Sequence, residues 1–287
     1  MQILTTKAAL EQTVRTCKLN GQTIGLVPTM GALHAGHASL VKRCVSENDV
    51  TFVSVFVNPT QFNNKEDLAK YPRSLERDAK LLESIGAHFV FAPAPEEMYS
   101  PEEMAETFLF DFGGLDTMME GAMRPGHFNG VVQVVSRLFY LVKPDRAYFG
   151  EKDYQQLAII HFMVERSALA GTFGDLKIVG CPIVREQSGL ALSSRNERLS
   201  ADEKQTALGI SRTLFASLDW AKEPDATVAA VQQRVIDAVN AIQGLEVEYY
   251  QIVDQSTLLP ADTFRHAIGC ITVYCGPVRL IDNIKYD

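Results

Sequence analysis

The sequence predicts an α/β protein in which a doubly wound parallel sheet is followed by a smaller α+β domain. Three observations carry that expectation. Up to about residue 182, β-branched or apolar runs alternate with helix-like stretches, the pattern of parallel strands joined by helical crossovers. One run, residues 50–57 (VTFVSVFV), is apolar almost without interruption, as a strand buried on both faces must be. Beyond that region the alternation stops, and two helical stretches are followed by three strand-like runs.

Taken in order, residues 23–27 form a short strand and 37–46 a helix, followed by the strand at 50–57. Residues 74–85 read as a helix stopped by Gly86, and 88–92 as the next strand. A helix over 130–142 ends before Pro144, then come a strand at 146–149, a helix at 153–168 and a strand at 176–179. In the second part Ser200-Ala-Asp-Glu203 is a capping box, in which hydroxyl and carboxylate satisfy first-turn N–H groups, and it opens a helix towards Trp220. Pro224 breaks that helix, a second runs over 227–242 to Gly244, and strands follow at 246–253, 270–274 and 278–281. The expected domains are therefore residues 1–183 and 184–287, joined near Ile183 without a Gly/Ser-rich linker.

Composition bounds the function. At 287 residues with 46% hydrophobic and 22% charged side chains, the chain can bury a sizeable core, and intrinsic disorder is excluded. Its most apolar stretch, 131–142, is cut by Gln133, Ser136 and Arg137, short of the roughly 18 clean residues a membrane helix needs. The opening Met-Gln-Ile-Leu-Thr-Thr-Lys lacks the charged and apolar regions of a secretory leader. Twenty-seven basic against 35 acidic residues leave a net charge of −8, which argues against nucleic acid or an anionic membrane as partner. An anionic ligand must then be held by a local cluster. The five cysteines form no Cys-x-x-Cys, and Cys270 and Cys275 point to opposite faces of one strand, so free thiols in a reducing cytoplasm are expected.

Four short segments follow predicted strands of the first sheet, and a parallel sheet brings such segments to one edge. The first is Pro28-Thr-Met-Gly-Ala-Leu-His-Ala-Gly-His37, with His34 and His37 flanking Gly36 where a loop enters a helix. Backbone N–H groups and the helix dipole favour anions there, and imidazoles can donate to phosphate oxygens. Gly31-x-x-x-x-Gly36 imitates a P-loop, but His37 and Ala38 stand where Lys and Ser/Thr are required. A zinc site on His34 and His37 lacks a third ligand at helical spacing, and local satisfaction by backbone is the plainest alternative. The second segment, Phe56-Val-Asn58-Pro-Thr-Gln61-Phe62, offers side-chain amides to a small polar substrate, or is simply a turn. The third, Phe149-Gly-Glu-Lys-Asp-Tyr-Gln-Gln156, places a lysine and a carboxylate at a strand-to-helix junction. The fourth, Leu192-Ser-Ser-Arg-Asn196, adds two hydroxyls and an arginine. Together two His, one Lys, one Arg and two Ser give the local positive potential that a nucleoside triphosphate requires.

His34-Ala-Gly36-His37 resembles the His-x-Gly-His signature of the nucleotidyltransferase superfamily, and 193–196 falls where that superfamily has a second phosphate-binding motif. The ordered set of these four segments with Tyr71-Pro-Arg73, Arg124-Pro-Gly-His-Phe128 and Arg279-Leu-Ile-Asp-Asn283 is similar to the pantoate–β-alanine ligase family over essentially the whole chain. The resemblance implies a Rossmann-like catalytic domain with a C-terminal lid domain, a cytoplasmic homodimer, and ATP and Mg²⁺ in the reaction. D-pantoate and MgATP would give a pantoyl adenylate and pyrophosphate, and β-alanine would then displace AMP. Carried over by motif, Met30, Gly31, His34, Gly36, His37, Gly150, Glu151, Lys152, Asp153, Val184, Leu192, Ser193, Ser194 and Arg195 would bind ATP. His34, His37, Lys152 and Arg195 would act catalytically, Gln61 and Gln156 would hold pantoate with Asn58 beside them, and Asp78 and Asp153 are the candidates for a metal. His127 is divided between the β-alanine side and a structural role.

The chain departs from the family at Ser100, where proline is usual, at Arg137 for lysine and at Leu192 for methionine, and 169–175 is longer than the family norm. Competing readings are a nucleotidyltransferase acting on a phosphate ester, a zinc hydrolase built on His34 and His37, and an RNA-binding module.

Overall fold

The computed structural model describes residues 1–62, 65–168 and 171–286. Strands β1 (Gln2–Leu4), β2 (Ile24–Thr29), β3 (Val50–Val55), β4 (Phe89–Phe91), β5 (Arg146–Gly150) and β6 (Lys177–Cys181) form one sheet in the order β1-β4-β3-β2-β5-β6. Every pairing in it is parallel. From β2 the chain winds outward through β3 and β4 on one side and, later, through β5 and β6 on the other. The switch point of this doubly wound sheet therefore lies at the carboxyl ends of β2 and β5, where such folds bind ligands.

The uninterrupted apolar runs follow from burial on both faces. Leu26 and Phe52 face one core with Leu10, Val14 and residues of the helix His127–Val142. Their neighbours Val27 and Val53 face the other core with Val41, Cys44 and Leu82, from the helices Ala35–Glu47 and Leu75–Ile85. The latter helix ends on Gly86 at φ 94, the left-handed cap that glycine adopts without a Cβ penalty.

The helix His127–Val142 begins three residues before the expected start, because the turn at Gly126 (φ 80) feeds directly into it. Among the described residues, β1, the short helices Lys65–Lys70, Pro95–Met98, Pro101–Ala105 and Met119–Met123, and the longer helix Lys7–Leu19 have no counterpart in the sequence reading. The signal for that helix was present, since Leu10, Val14 and Cys17 recur at helical spacing behind Thr6, whose side chain accepts from Ala9 N. Of the 169–175 stretch, Leu169 and Ala170 lie outside the described residues.

The chain forms two compact units. The first comprises Met1–Asp116, Glu120–Glu151 and Gln156–Pro182; the second comprises Thr117–Met119, Lys152–Gln155 and Ile183–Asp287. Residues 117–119, 152–155 and 183, assigned to the first domain from sequence, thus cluster with the second unit. That unit is an antiparallel sheet, β7 (Leu245–Asp254), β8 (Ala267–Cys275) and β9 (Val278–Tyr286), with β8 in the centre. The two-residue turn Gly276-Pro277 joins β8 to β9, and Gly276 takes φ 54. Leu208, Leu214, Val231 and Val235 from the helices Ala201–Trp220 and Val228–Asn240 join Ile271 and Val273 in its core. The expected capping box is present, with Glu203 N donating to Ser200 Oγ (3.2 Å) and Ser200 N to Glu203 Oε2 (2.7 Å). All five cysteines are free and buried. No helix among the described residues is long and apolar enough to cross a membrane.

Candidate active site

The loop leaving β2 is fixed by its neighbour strand and by one buried carboxylate. Thr29 N donates to Ser54 Oγ (3.1 Å), Thr29 Oγ1 donates to Ser54 O (2.6 Å), and Gly31 N donates back to Thr29 Oγ1 (3.2 Å). Asp78, 1% exposed, accepts from Ala32 N at 3.0 Å and from Leu33 N at 2.8 Å. Charge-assisted bonds of this kind are about twice as strong as neutral ones. Gly31 is required at this point: its φ is 83, and an added Cβ would lie 3.0 Å from Asp78 Oδ2 and 3.1 Å from Val55. Both oxygens of Asp78 therefore hold the loop, which is a different task from that of the metal ligand considered from sequence.

His34 is the N-cap of the helix Ala35–Glu47, and His37 is its third residue. His34 Nδ1 accepts from Gly36 N (3.1 Å), and His37 Nδ1 accepts from His34 N (3.4 Å), a capping box built from two imidazoles. In a neutral imidazole an accepting Nδ1 places the proton on Nε2. The backbone bonds that cap the helix thus also set the tautomer with the proton on Nε2, a form able to donate to an anion. The same bonds occupy the Nδ1 atoms, and among the described residues no group of three or more His, Cys, Asp or Glu could hold a metal ion. The zinc reading has no support in this geometry.

After β3 the chain enters a short turn, Pro59–Gln61. Asn58, 1% exposed, is its hub. Asn58 Nδ2 donates to Gly130 O (2.9 Å) and to Gln61 Oε1 (3.3 Å), while Asn58 Oδ1 accepts from Tyr99 Oη (2.9 Å) and Thr60 Oγ1 (3.2 Å). Burial pushes the Tyr99 phenol up to about 12, so it remains a donor. With its oxygen engaged, the Gln61 amide turns its NH₂ towards Met30, with Nε2 2.8 Å from Sδ. A thioether is only a weak acceptor, so this contact is readily exchanged for a stronger one. Gly130 allows the helix behind to approach: a Cβ there would meet Gln61 Cα and N at 2.6 Å.

His127 supports the same turn. Arg124 Nη1 lies 3.1 Å from His127 Nε2, and His127 Nδ1 lies 2.9 Å from Gln61 O. Guanidinium only donates and a carbonyl only accepts, so Nδ1 carries the proton here, the tautomer opposite to that of His34 and His37. Gln156, half-buried, opens the last segment of the first unit, whose Gly150 points its Cα into open space with nothing within 4 Å of a built Cβ.

The second unit carries the remaining candidates. Lys152 is part of the turn Glu151–Asp153, and its Nζ lies 3.8 Å from Asp153 Oδ2, whose side chain is 49% exposed. Leu192 N donates to Val184 O (3.0 Å), closing a hairpin that leads into the Ser-Ser-Arg motif. Ser193 Oγ then accepts from Arg195 N (3.3 Å), and Asn196 Nδ2 donates to Ala191 O (2.9 Å), so the turn bearing Ser194 and Arg195 is held from both sides.

Two family departures are absorbed locally. Ser100 N-caps the helix Pro101–Ala105 in a capping box with Glu103, so serine followed by proline starts a helix well. Arg137 donates to both oxygens of Glu103 and to Met98 O, and lies 4.9 Å over the Tyr99 ring. These contacts brace Tyr99, the phenol that holds Asn58. Sequence reasoning found neither this brace nor the role of Gly130, because both depend on contacts across many residues of chain.

The model of the pantoate-beta-alanine ligase family matches residues 2–285. The chain is 59% identical over 289 residues to the pantothenate synthetase of Bacteroides fragilis strain YCH46, covering 100% of this chain and 99% of that one. Among solved structures, that of pantothenate synthetase from Thermus thermophilus is similar with a TM-score of 0.91 at 42% identity, covering 100% and 99% of the two chains. The Francisella tularensis pantoate-beta-alanine ligase, complexed with beta-gamma ATP and beta-alanine, has a TM-score of 0.80 at 34% identity, covering 100% and 98%.

Proposed function

The chain belongs to the pantoate-beta-alanine ligase family, and on that premise we propose that it joins D-pantoate to β-alanine in two steps through a pantoyl adenylate. In the first, a pantoate carboxylate oxygen attacks the α-phosphorus of ATP, and the bond to the bridging oxygen of pyrophosphate breaks. In the second, the β-alanine amine attacks the acyl carbon of the mixed anhydride, AMP leaves with the bridging oxygen, and the nitrogen gives up a proton. The amide product is pantothenate.

One observation supports this assignment most: the capping box that fixes Nε2–H on both His34 and His37 beside a helix N-terminus. Such preorganised donors stabilise charge that builds on phosphoryl oxygens without reorienting during the reaction. In this reading Met30, Gly31, Gly36 and Gly150 give the nucleotide close access to backbone. Lys152 and Arg195 supply positive charge, and Glu151, Asp153, Val184, Leu192, Ser193 and Ser194 complete the ATP contacts. Gln61 and Gln156 orient the pantoate carboxylate and hydroxyls as neutral donors, which leaves the attacking oxygen more nucleophilic than a cation would. Asn58 acts through Gln61.

Magnesium fits as part of the nucleotide substrate. Mg²⁺ is commonly held by one or two carboxylates together with substrate phosphates, and keeps several waters. Asp78 has both oxygens on backbone N–H groups, which leaves half-exposed Asp153 as the better placed of the two candidates. The homodimer rests on the family resemblance, and the net charge of −8 supports a protein that binds neither nucleic acid nor anionic membrane. A cytoplasmic location is supported by the five free cysteines.

The test is pantoate-dependent exchange of labelled pyrophosphate into ATP, with Mg²⁺ present and β-alanine absent. Exchange that requires pantoate establishes the reversible adenylate. Exchange that proceeds equally without pantoate, or none in a protein shown to bind ATP, overturns the proposed sequence of steps.

A further inference from the structure

The motif Arg279-Leu-Ile-Asp-Asn283 has no part in the chemistry above, yet its last two residues hold both candidate phosphate-binding segments of the second unit. Asn283, buried on β9, donates from Nδ2 to Lys152 O at 3.0 Å. Its neighbour Asp282, also buried, takes the Arg185 guanidinium in a two-pronged pair, Oδ2 to Nη1 at 2.6 Å and Oδ1 to Nη2 at 2.9 Å. Asp282 Oδ1 accepts from Asn283 N (2.8 Å), and Arg185 Nη2 donates to Asn283 O (3.3 Å). The pair therefore grips the backbone of Asn283 from both sides.

Arg185 is itself the root of the hairpin that presents residues 193–195. It bridges Ala191 across that hairpin and donates from Nη1 to Gly189 O at 3.2 Å. The segment of Lys152 is anchored at two further points: Tyr154 Oη donates to Gln255 O (3.0 Å), and Gln155 Nε2 donates to Met118 O (2.9 Å). One strand thus sets the spacing between Lys152 and the Ser-Ser-Arg turn through two consecutive residues. A lysine side chain is flexible, so fixing its backbone root is the way a fold can restrict where its ammonium goes.

We propose that Asn283 is a positioning residue for adenylate formation: it fixes the backbone at Lys152, and the adjoining Asp282–Arg185 pair holds the hairpin of residues 193–195 in register with it. This rests on the reading of Lys152 and Arg195 as phosphate-binding groups. A displacement of about 1 Å in such a group can cost on the order of 10²-fold in rate.

The experiment measures pyrophosphate exchange at saturating ATP and pantoate for the wild type, Asn283→Ala, Lys152→Ala and the double variant, with thermal unfolding to show that each is folded. Asn283→Ala is expected to slow exchange by about 10-fold or more. In the Lys152→Ala background the same substitution is expected to change the rate less than about threefold, because its effect passes through a side chain already removed. A merely structural role would give the same fold-loss in both backgrounds, and that result, or a wild-type rate for Asn283→Ala, overturns the proposal. Should the alanine variant not fold, Asn283→Leu removes the donor at similar volume and carries the same comparison. A wild type without pantoate-dependent exchange would instead sink the functional reading, a result distinct from loss of the positioning role alone.

Discussion

The imidazoles of His34 and His37 lie 4.1 Å apart, centroid to centroid, and each uses Nδ1 to accept a backbone N–H of the same helical turn. In the proposed reaction, helix capping and phosphate binding would fall to opposite nitrogens of each ring. Nitrogen-15 NMR should show His34 and His37 protonated at Nε2, and His127, placed against Arg124 and the Gln61 carbonyl, protonated at Nδ1. Protonation of His34 or His37 at Nδ1 would contradict the capping box.

The two tasks of His34 can be separated. His34→Asn keeps a good N-cap and removes the Nε2 donor, so it should unfold within about 0.5 kcal/mol of wild type while slowing adenylate formation by about 10²-fold. His34→Ala should lose the cap as well, at about 1 kcal/mol. Denaturant melts with exchange assays distinguish these outcomes, and a fully active His34→Asn would remove the residue from the chemistry.

Asp78→Asn tests whether this buried carboxylate holds the loop or a metal. Asparagine can accept from only one of Ala32 N and Leu33 N and presents a donor to the other. The expected loss is about 1.5–3 kcal/mol of stability, with a raised KM for ATP that added magnesium does not restore. Unchanged stability together with rescue at high magnesium would favour the metal-ligand role instead.

Gly130→Ala places a methyl 2.6 Å from the backbone of Gln61 and from Thr60 O. Moving the helix or the turn to make room should cost about 1–3 kcal/mol. Because Gln61 moves with the turn, the KM for pantoate should rise more than that for ATP. Equal effects on both substrates would argue that Gln61 does not contact pantoate.

Glu103 predicts an acid-sensitive element of stability. The Arg137 guanidinium, and then Ser100 N, hold its carboxyl at about 2, below its ordinary 4.5. The folded value lies below the unfolded one, so the contribution is fully present above about pH 4.5 and is lost as pH falls towards 2. Melting temperatures of wild type and Glu103→Gln, compared at pH 6 and pH 3, should therefore converge in acid. Parallel curves would show that the pair does not contribute.

The doubly wound sheet and most of its elements, though not β1 or the helix Lys7–Leu19, were legible from residue patterns, because a parallel strand buried on both faces has little choice but an apolar run, as at residues 50–55. The candidate ligand-binding motifs stood out for another reason. Chemistry at a strand end constrains several consecutive residues, as in His34-Ala-Gly36-His37, and so leaves a local signature. What the sequence alone determined was which side chains are available and which local turns present them.

Only the tertiary structure decided what holds them. That Asp78 serves the loop of Ala32 and Leu33, 45 residues and more away in sequence, is a contact no local pattern encodes. The same is true of Asn58 beneath Gly130 and of Asn283 on the carbonyl of Lys152. It also assigned Lys152–Gln155 to the second unit, although the strand before it belongs to the first. Hydrogen bonds that stabilise a site are short in space but carry no preference for nearness along the chain. They become visible only when packing has brought distant residues together.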